Sequence, residues 1–338
     1  MSNFTLEEIG KLAGVSRSTV SRVVNNHPNV SDRVRRKVER VIKDTGYSPN
    51  LAARTLVSQR SYIIGLVIPR SVQVFFGDPY FARLTQGIAQ AANLFDYTFS
   101  LFLLESREIE ERLIPRITRP GFIDGLIIQA TSADDYALSS VINGSIPYVI
   151  AGTPLDYHNV SYIDVDNVYG ASLAVEHLVK LGRKKIATIT GPLNGAPGRD
   201  RRIGYEQTLL KHGLSVDPNL IFEGDFSEKS GYMAAKKLLD SHPDAIFAAS
   251  DLMAIGALRV IKENKLRVPE DIALVGFDDL PPARYADPQL TTVRQPILRF
   301  GVAAFELLLK FIEDRTLPAQ KTLIDVELVV RDSCGGKK

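Results

Sequence analysis

A chain of 338 residues that is 45% hydrophobic and 24% charged can bury a sizeable core, and it is expected to make two or three domains rather than stay disordered. Its one cysteine, Cys334, rules out an intrachain disulfide and a cysteine-based metal cluster, and the polar stretch SCGGKK around it suggests no role. The net charge of +2 conceals an asymmetry: residues 1–60 carry 11 Lys/Arg against 5 Asp/Glu, so a polyanion contact is expected at that end alone.

The opening stretch, MSNFTLEEIGKLAG, lacks the features of a signal peptide. No apolar run approaches the roughly 18 residues a membrane span needs, so a cytoplasmic protein without membrane contact is expected. Thr5 followed by Glu8 makes a capping box for a first helix, with Leu6, Ile9, Leu12 and Ala13 on its buried face and Gly14 at its end. Ser16 caps a second helix, which turns Val20, Val23 and Val24 inward and leaves Arg17, Ser18, Ser21, Arg22 and Asn25 outside. Ser31 caps a third, with Val34, Val38, Val41 and Ile42 inside, Arg33, Arg35, Arg36, Lys37 and Arg40 outside, and Gly46 as the stop. Helix, short turn and helix form a helix-turn-helix. A three-helix protein-interaction module is the alternative, but arginine and polar side chains near the start of the second helix suit base edges in a major groove.

Between Tyr47 and Leu56 the chain reads YSPNLAARTL. Pro49 breaks the third helix, Asn50 can cap a new one, and a helix over 51–56 is too short to persist alone in water. It is expected to order only against a partner. From Ser61 short apolar runs alternate with helical stretches: strands near 62–68, 97–104, 125–129 and 148–152, then near 185–191, 220–225, 245–250 and 272–279. Helices are expected near 80–94, 107–117, 134–142, 168–181, 200–212, 228–240, 252–264 and 297–312. The fold class is therefore α/β, with two lobes of doubly wound parallel sheet behind an all-α headpiece. Such sheets bind ligands beyond the carboxyl ends of their strands, which singles out Gln129, Ser250, Asp251, Asp278 and Asp279, although Asp251 reads equally as a helix cap.

Enzyme signatures are missing from the sequence. There is no GxGxxG after a strand, no GxxxxGK and no GxSxG, and the five histidines lack metal spacing, so neither a cofactor nor catalysis is expected. The stretch TLEEIGKLAGVSRSTVSRVVNNHPNVSDRVRRKVERVIKDTGYSPNLAARTL resembles the headpiece and hinge of the lactose/galactose repressor (LacI/GalR) family. DNVYGASLAVEHLVKLGRKKIATITGP, SDLMAIGALRVI and VPEDIALVGFDDLP extend the resemblance through its periplasmic-binding-protein-like core.

That resemblance implies a repressor acting as a homodimer on a pseudo-palindromic operator, its DNA affinity set by a small ligand, most often a sugar, between the lobes. Arg17 and Ser18 match the family's operator-discriminating pair, Arg22 a base contact, and Leu56, with Ala53 beside it, the minor-groove wedge. Thr5, Ser16, Ser21, Asn25, Ser31 and Asn50 complete the expected DNA-contacting set. For the ligand, Arg201 and Asp278 match the gripping arginine and the hydroxyl-accepting aspartate, with Tyr80, Phe81, Gln129, Phe226, Ser250 and Gln295 around them. Ser250 stands where many members have Asn, and Gly152 where sugar binders often have Asp. The implied domains are 1–46 for the headpiece, 47–60 for the hinge and 61–338 for the core. Its first lobe takes about 61–160 plus 293–322 and its second about 161–290 plus 323–333.

Overall fold

The computed structural model describes residues 4–24, 27–47, 60–129 and 136–336. Contacts divide the chain into two compact units that meet in sequence at Ser61 and Tyr62. In the smaller unit α1 (Leu6–Ala13), α2 (Arg17–Val24) and α3 (Asp32–Thr45) pack around Ile9, Ala13, Val20, Val23 and Val38. Thr5 and Glu8 start α1 reciprocally: the Thr5 hydroxyl accepts from Glu8 N at 3.3 Å and the Glu8 carboxylate accepts from Thr5 N at 2.7 Å. Gly14 ends it at φ 61°, a left-handed conformation that a Cβ disfavours.

Two expectations for this unit need correction. Leu12 is 55% exposed; the inward position belongs to Gly10, where a Cβ would come within 2.9 Å of the Val15 carbonyl. Ser31 does occupy the N-cap of α3, but its side chain makes no capping hydrogen bond.

The larger unit follows the alternation of its apolar runs. β1 (Ile63–Ile68), α4 (Val72–Gly77), α5 (Pro79–Leu94), β2 (Thr98–Leu103), α6 (Arg107–Ile117), β3 (Gly125–Gln129), α7 (Tyr136–Ile142), β4 (Tyr148–Ala151) and β5 (Tyr162–Val165) build the first lobe. The second contains α8 (Asn167–Lys180), β6 (Ile186–Thr190), α9 (Ala196–Lys211), β7 (Ile221–Glu223), α10 (Glu228–Leu238), β8 (Ala245–Ala248), α11 (Asp251–Glu263), β9 (Ala273–Asp278), α12 (Pro281–Tyr285) and β10 (Thr291–Arg294). α13 (Ile297–Glu313) returns to pack on α5 and the first sheet, which β11 (Lys321–Ile324) extends, while β12 (Glu327–Val329) goes back to the second.

The strand orders are β11-β5-β4-β3-β1-β2 and β12-β10-β9-β8-β6-β7. Every pairing is parallel except that of β10 with β12. In each sheet the chain reverses direction of build beside its first strand, the position at which open parallel sheets leave a crevice.

Strands β5, β10, β11 and β12 were not expected as strands. β5 keeps residues 162–165 in the first lobe, so the chain crosses after Val165 and not near 160; it crosses back between Arg294 and Ile297 and again between Ile324 and Glu327. α9 begins at Ala196, ahead of the expected 200, and the strand expected over 220–225 is only Ile221–Glu223. Asp251 is not a cap, because the Ser250 hydroxyl takes that place by accepting from Met253 N at 3.2 Å. Cys334 is 1% exposed, with its sulfur 3.1 Å from the Thr291 hydroxyl and 3.2 Å from His177 Nε2. Ser333 and Cys334 thus pack against the second lobe, the Ser333 hydroxyl accepting from Thr291 N at 2.8 Å and donating to the Leu274 carbonyl at 2.6 Å.

Candidate functional site

In the smaller unit Ser16, just before α2, and Arg17, Ser18 and Arg22 on it are exposed, and Ser21 is half-buried. The Ser16 hydroxyl accepts from Thr19 N at 3.2 Å and lies 2.8 Å from the Ser18 hydroxyl, so the two serines are held as a pair at the helix start. Thr5 and Ser31 are exposed at the starts of α1 and α3. Arg35 is not simply outward: its Nη2 donates to the His27 carbonyl at 2.8 Å and so secures the turn before α3. Asn25, Asn50, Ala53, Leu56 and the helix expected over 51–56 lie outside the described residues.

In the larger unit a cavity of about 340 Å³ opens between the lobes. Tyr80, Phe81, Gln129, Arg201, Phe226, Ser250, Asp278 and Gln295 all line it. The polar ones follow from strand ends: Gln129 closes β3, Ser250 follows β8, Asp278 closes β9 and Gln295 follows β10. Phe226 supplies a flat apolar wall, and its φ of 70° is one a β-carbon disfavours. The wall rests on Gly191, where a Cβ would stand 2.0 Å from Phe226 Cζ. Asp278 (φ 123°) and Asp279 (φ 56°) lie in the same unfavourable half of backbone space, a strain that persists only where surrounding packing imposes it.

Arg201 is 5% exposed. Its Nε donates to Asn167 Oδ1 at 2.9 Å, its Nη1 to the Ala249 carbonyl at 2.5 Å, and the same nitrogen stands 3.7 Å from Asp278 Oδ1. Phe277 lies under the guanidinium, 3.7 Å from ring centroid to Cζ. Asp278 Oδ1 also accepts from Gln295 Nε2 at 2.5 Å. Burial pushes the Asp278 carboxyl up to about 7 even though Arg201 pulls the other way, and burial likewise lowers Arg201. The Gln129 side chain lines the cavity, and its Oε1 is buried with no hydrogen-bond partner among the described residues.

Two strand-end residues turn elsewhere. Asp251 is fully buried, accepting from the Thr292 hydroxyl at 2.6 Å and from Leu280 N at 2.7 Å. Asp279 ties together Arg294 (2.7 Å), Arg284 (2.9 Å) and Arg331. Ser250 lines the cavity, but its hydroxyl is committed to the α11 cap and to the Phe226 carbonyl at 3.4 Å.

Sequence reasoning missed Arg70, Val74, Asp78, Asp164 and Asp225, which also line the cavity. Asp78 sits at the N-cap of α5 and accepts from Tyr80 N at 2.9 Å. Burial raises the carboxyl pKa of both Asp78 and Asp164. The strand-end rule finds Asp164 as soon as YIDV is read as a strand.

A helix-turn-helix unit in one chain with a two-lobed, polar-floored and aromatic-walled cleft defines a DNA-binding protein that also takes up a small ligand. Residues 5–50 match the family model for bacterial regulatory proteins, lacI family, and residues 175–334 match that for a periplasmic binding protein-like domain. The HTH-type transcriptional regulator CelR of Thermobifida fusca is 39% identical over 334 residues, 97% of this chain and 98% of that protein. A solved complex of the transcriptional regulator CelR with cellobiose superposes with a TM-score of 0.79 at 37% identity, covering 98% of this chain and 100% of that one. The lac repressor dimer bound to operator and the anti-inducer ONPF gives 0.85 at 30% identity, covering 98% and 99%. The chain belongs to the lacI family of bacterial regulatory proteins, whose members are transcription regulators and not enzymes.

Proposed function

We propose that this chain is a homodimeric repressor that reads a pseudo-palindromic operator through α2 and whose operator affinity is set by a neutral sugar, with a disaccharide of the cellobiose kind as the first candidate, bound between its lobes. The observation that carries the reading is the cleft itself. Arg201 and Asp278 form a buried donor and acceptor beside the Phe226 ring, the combination that satisfies sugar hydroxyls while covering an apolar ring face. Gln129, which lines the cavity, adds a carboxamide for a ligand hydroxyl. In the headpiece, Arg17, Ser18 and Arg22 are the proposed base-reading residues: Arg17 and Ser18 are exposed at the start of α2, the end that docks in a major groove, and Arg22 is exposed in its last turn. Asn50, Ala53 and Leu56 are proposed for the minor groove on resemblance alone, and 1–46, 47–60 and a core from 61 remain the proposed division.

No helix among the described residues is long and apolar enough to cross a membrane, and we place the protein's work in the cytoplasm. The proposed action is binding without turnover. The test is a gel shift of genomic fragments by the full chain, with and without cellobiose and a series of neutral mono- and disaccharides. A retarded fragment whose affinity changes at least fivefold with one of these sugars supports the reading, while recovery of the sugar in altered form contradicts it. A chain that retards no fragment selectively, or whose retarded fragment is indifferent to every sugar in the series, is not this kind of repressor.

A further inference from the structure

We infer that Asn167 is a positioning residue that joins the two lobes through the ligand's arginine. The inference rests on the reading of the cleft given above, and concerns how occupancy there is transmitted.

Asn167 is 3% exposed and does not line the cavity. It is the first residue of α8, directly beyond the first crossing between lobes. Its side chain faces two ways. Oδ1 accepts from Arg201 Nε at 2.9 Å, on the second lobe's α9. Nδ2 donates to Asp164 Oδ1 at 3.3 Å and to the Val165 carbonyl at 3.2 Å, both on the first lobe's β5. Asp164 is itself fixed in the first lobe, its Oδ2 accepting from both the amide and the hydroxyl of Thr153 at 2.8 Å. The resulting path runs from Thr153 through Asp164, Asn167 and Arg201 to Asp278 and Gln295, from one sheet to the other.

The chemistry of position 167 is restrictive. A guanidinium offers only donors and a carboxylate only acceptors, so the residue between them must accept on one side and donate on the other. A carboxamide does this with one side chain. Aspartate would keep the arginine side and set two carboxylates against each other; alanine would serve neither. Because the Asp164 side belongs to one lobe and the Arg201 side to the other, a change in lobe angle acts on Asn167 and through it on the guanidinium. Conversely, a ligand that fixes the guanidinium fixes the lobe angle.

The titratable and charged groups around position 167 are Asp164 from β5, Arg201 from α9 and the neighbouring Asp166, which caps α8 by accepting from Tyr169 N, with Asp278 from β9, Asp251 from α11 and Tyr80 from α5 beyond them. In the Asn167→Asp variant the two carboxyls at 164 and 167 can hydrogen-bond to each other only when one of them is protonated. The response to ligand should therefore fail at pH 8 and return as the pH falls.

The full chain would be assayed on the operator fragment recovered in the gel shift, using cellobiose or whichever neutral sugar of that series changes wild-type affinity. For Asn167→Ala, ligand affinity should fall at least tenfold and the ligand-dependent change in operator affinity should vanish. For Asn167→Asp at pH 8, ligand affinity should stay within about threefold of wild type, since Arg201 keeps its acceptor, while the change in operator affinity shrinks below twofold. It should recover at pH 6 relative to wild type at the same pH. A wild-type-sized response in Asn167→Asp at pH 8 overturns the inference, as does loss of binding and response in step with melting temperature in every variant and at every pH. A wild-type chain that responds to no sugar instead removes the reading on which the inference rests.

Discussion

Asp278 is the residue on which ligand affinity should depend most visibly. Burial holds its carboxyl near 7 against an ordinary value of 3.8, so in the empty protein its contribution to stability is present below that ordinary value and is lost as pH rises through about 7. A hydroxyl donated by a ligand favours the ionised form and lowers the bound pKa. Affinity should accordingly rise between pH 6 and 8, by at most about tenfold per unit, with proton release visible when titration calorimetry is repeated in buffers of different ionisation heat. Gly191 makes a second prediction at this scale. With a Cβ 2.0 Å from Phe226 Cζ, Gly191→Ala must displace the aromatic wall, and ligand affinity should fall by about 1–3 kcal/mol with little change in DNA binding without ligand; fluorescence or calorimetric titration against unliganded operator affinity separates the two.

Among the elements, α12, β10 and the segment after β12 meet at Asp279. Burial works to raise its carboxyl pKa, yet Arg331, Arg294 and Arg284 together outweigh this and hold it below the usual carboxylate value. Asp279→Ala leaves the nearly buried Arg331 beside no carboxylate, and should cost about 3 kcal/mol in denaturant unfolding of the larger unit, whereas Arg284→Ala, at an exposed partner, should cost under about 1 kcal/mol. The same region shows what the sequence could and could not convey. Long apolar runs such as GLIIQ and IALVGFDD announce buried strands, and their ends located Gln129 and Asp278. TTVR, KTLI and ELV are three or four residues long and mixed in polarity, so they carry no period to recognise. Their pairing comes from distant strands, as Leu328 opposite Val293 illustrates. Leu12 failed for another reason: apolar spacing marks a face but not which of its members a neighbouring turn covers.

For the whole molecule, the separate cores of the two units predict two thermal transitions. The smaller unit rests on a cluster around Ile9, Val20 and Val38, while the larger has extensive cores in both lobes. Differential scanning calorimetry should show a small and a large transition. A saturating sugar at 100 times its dissociation constant should stabilise the large one by about 2.7 kcal/mol and leave the small one unmoved. A single transition that shifts as a whole would contradict independent cores.

The three crossings between lobes also bear on how the protein is made. Because β11 completes one sheet and β12 the other, a nascent chain that has emerged only as far as residue 318 presents two unfinished edges, β5 and β10, at the same time. Neither lobe can finish ahead of the other on the ribosome, so vectorial synthesis gives no lobe-by-lobe order of completion. The interval before residues 321–329 arrive is when this chain is most open to pairing with the wrong strand, and when a chaperone would have most to protect.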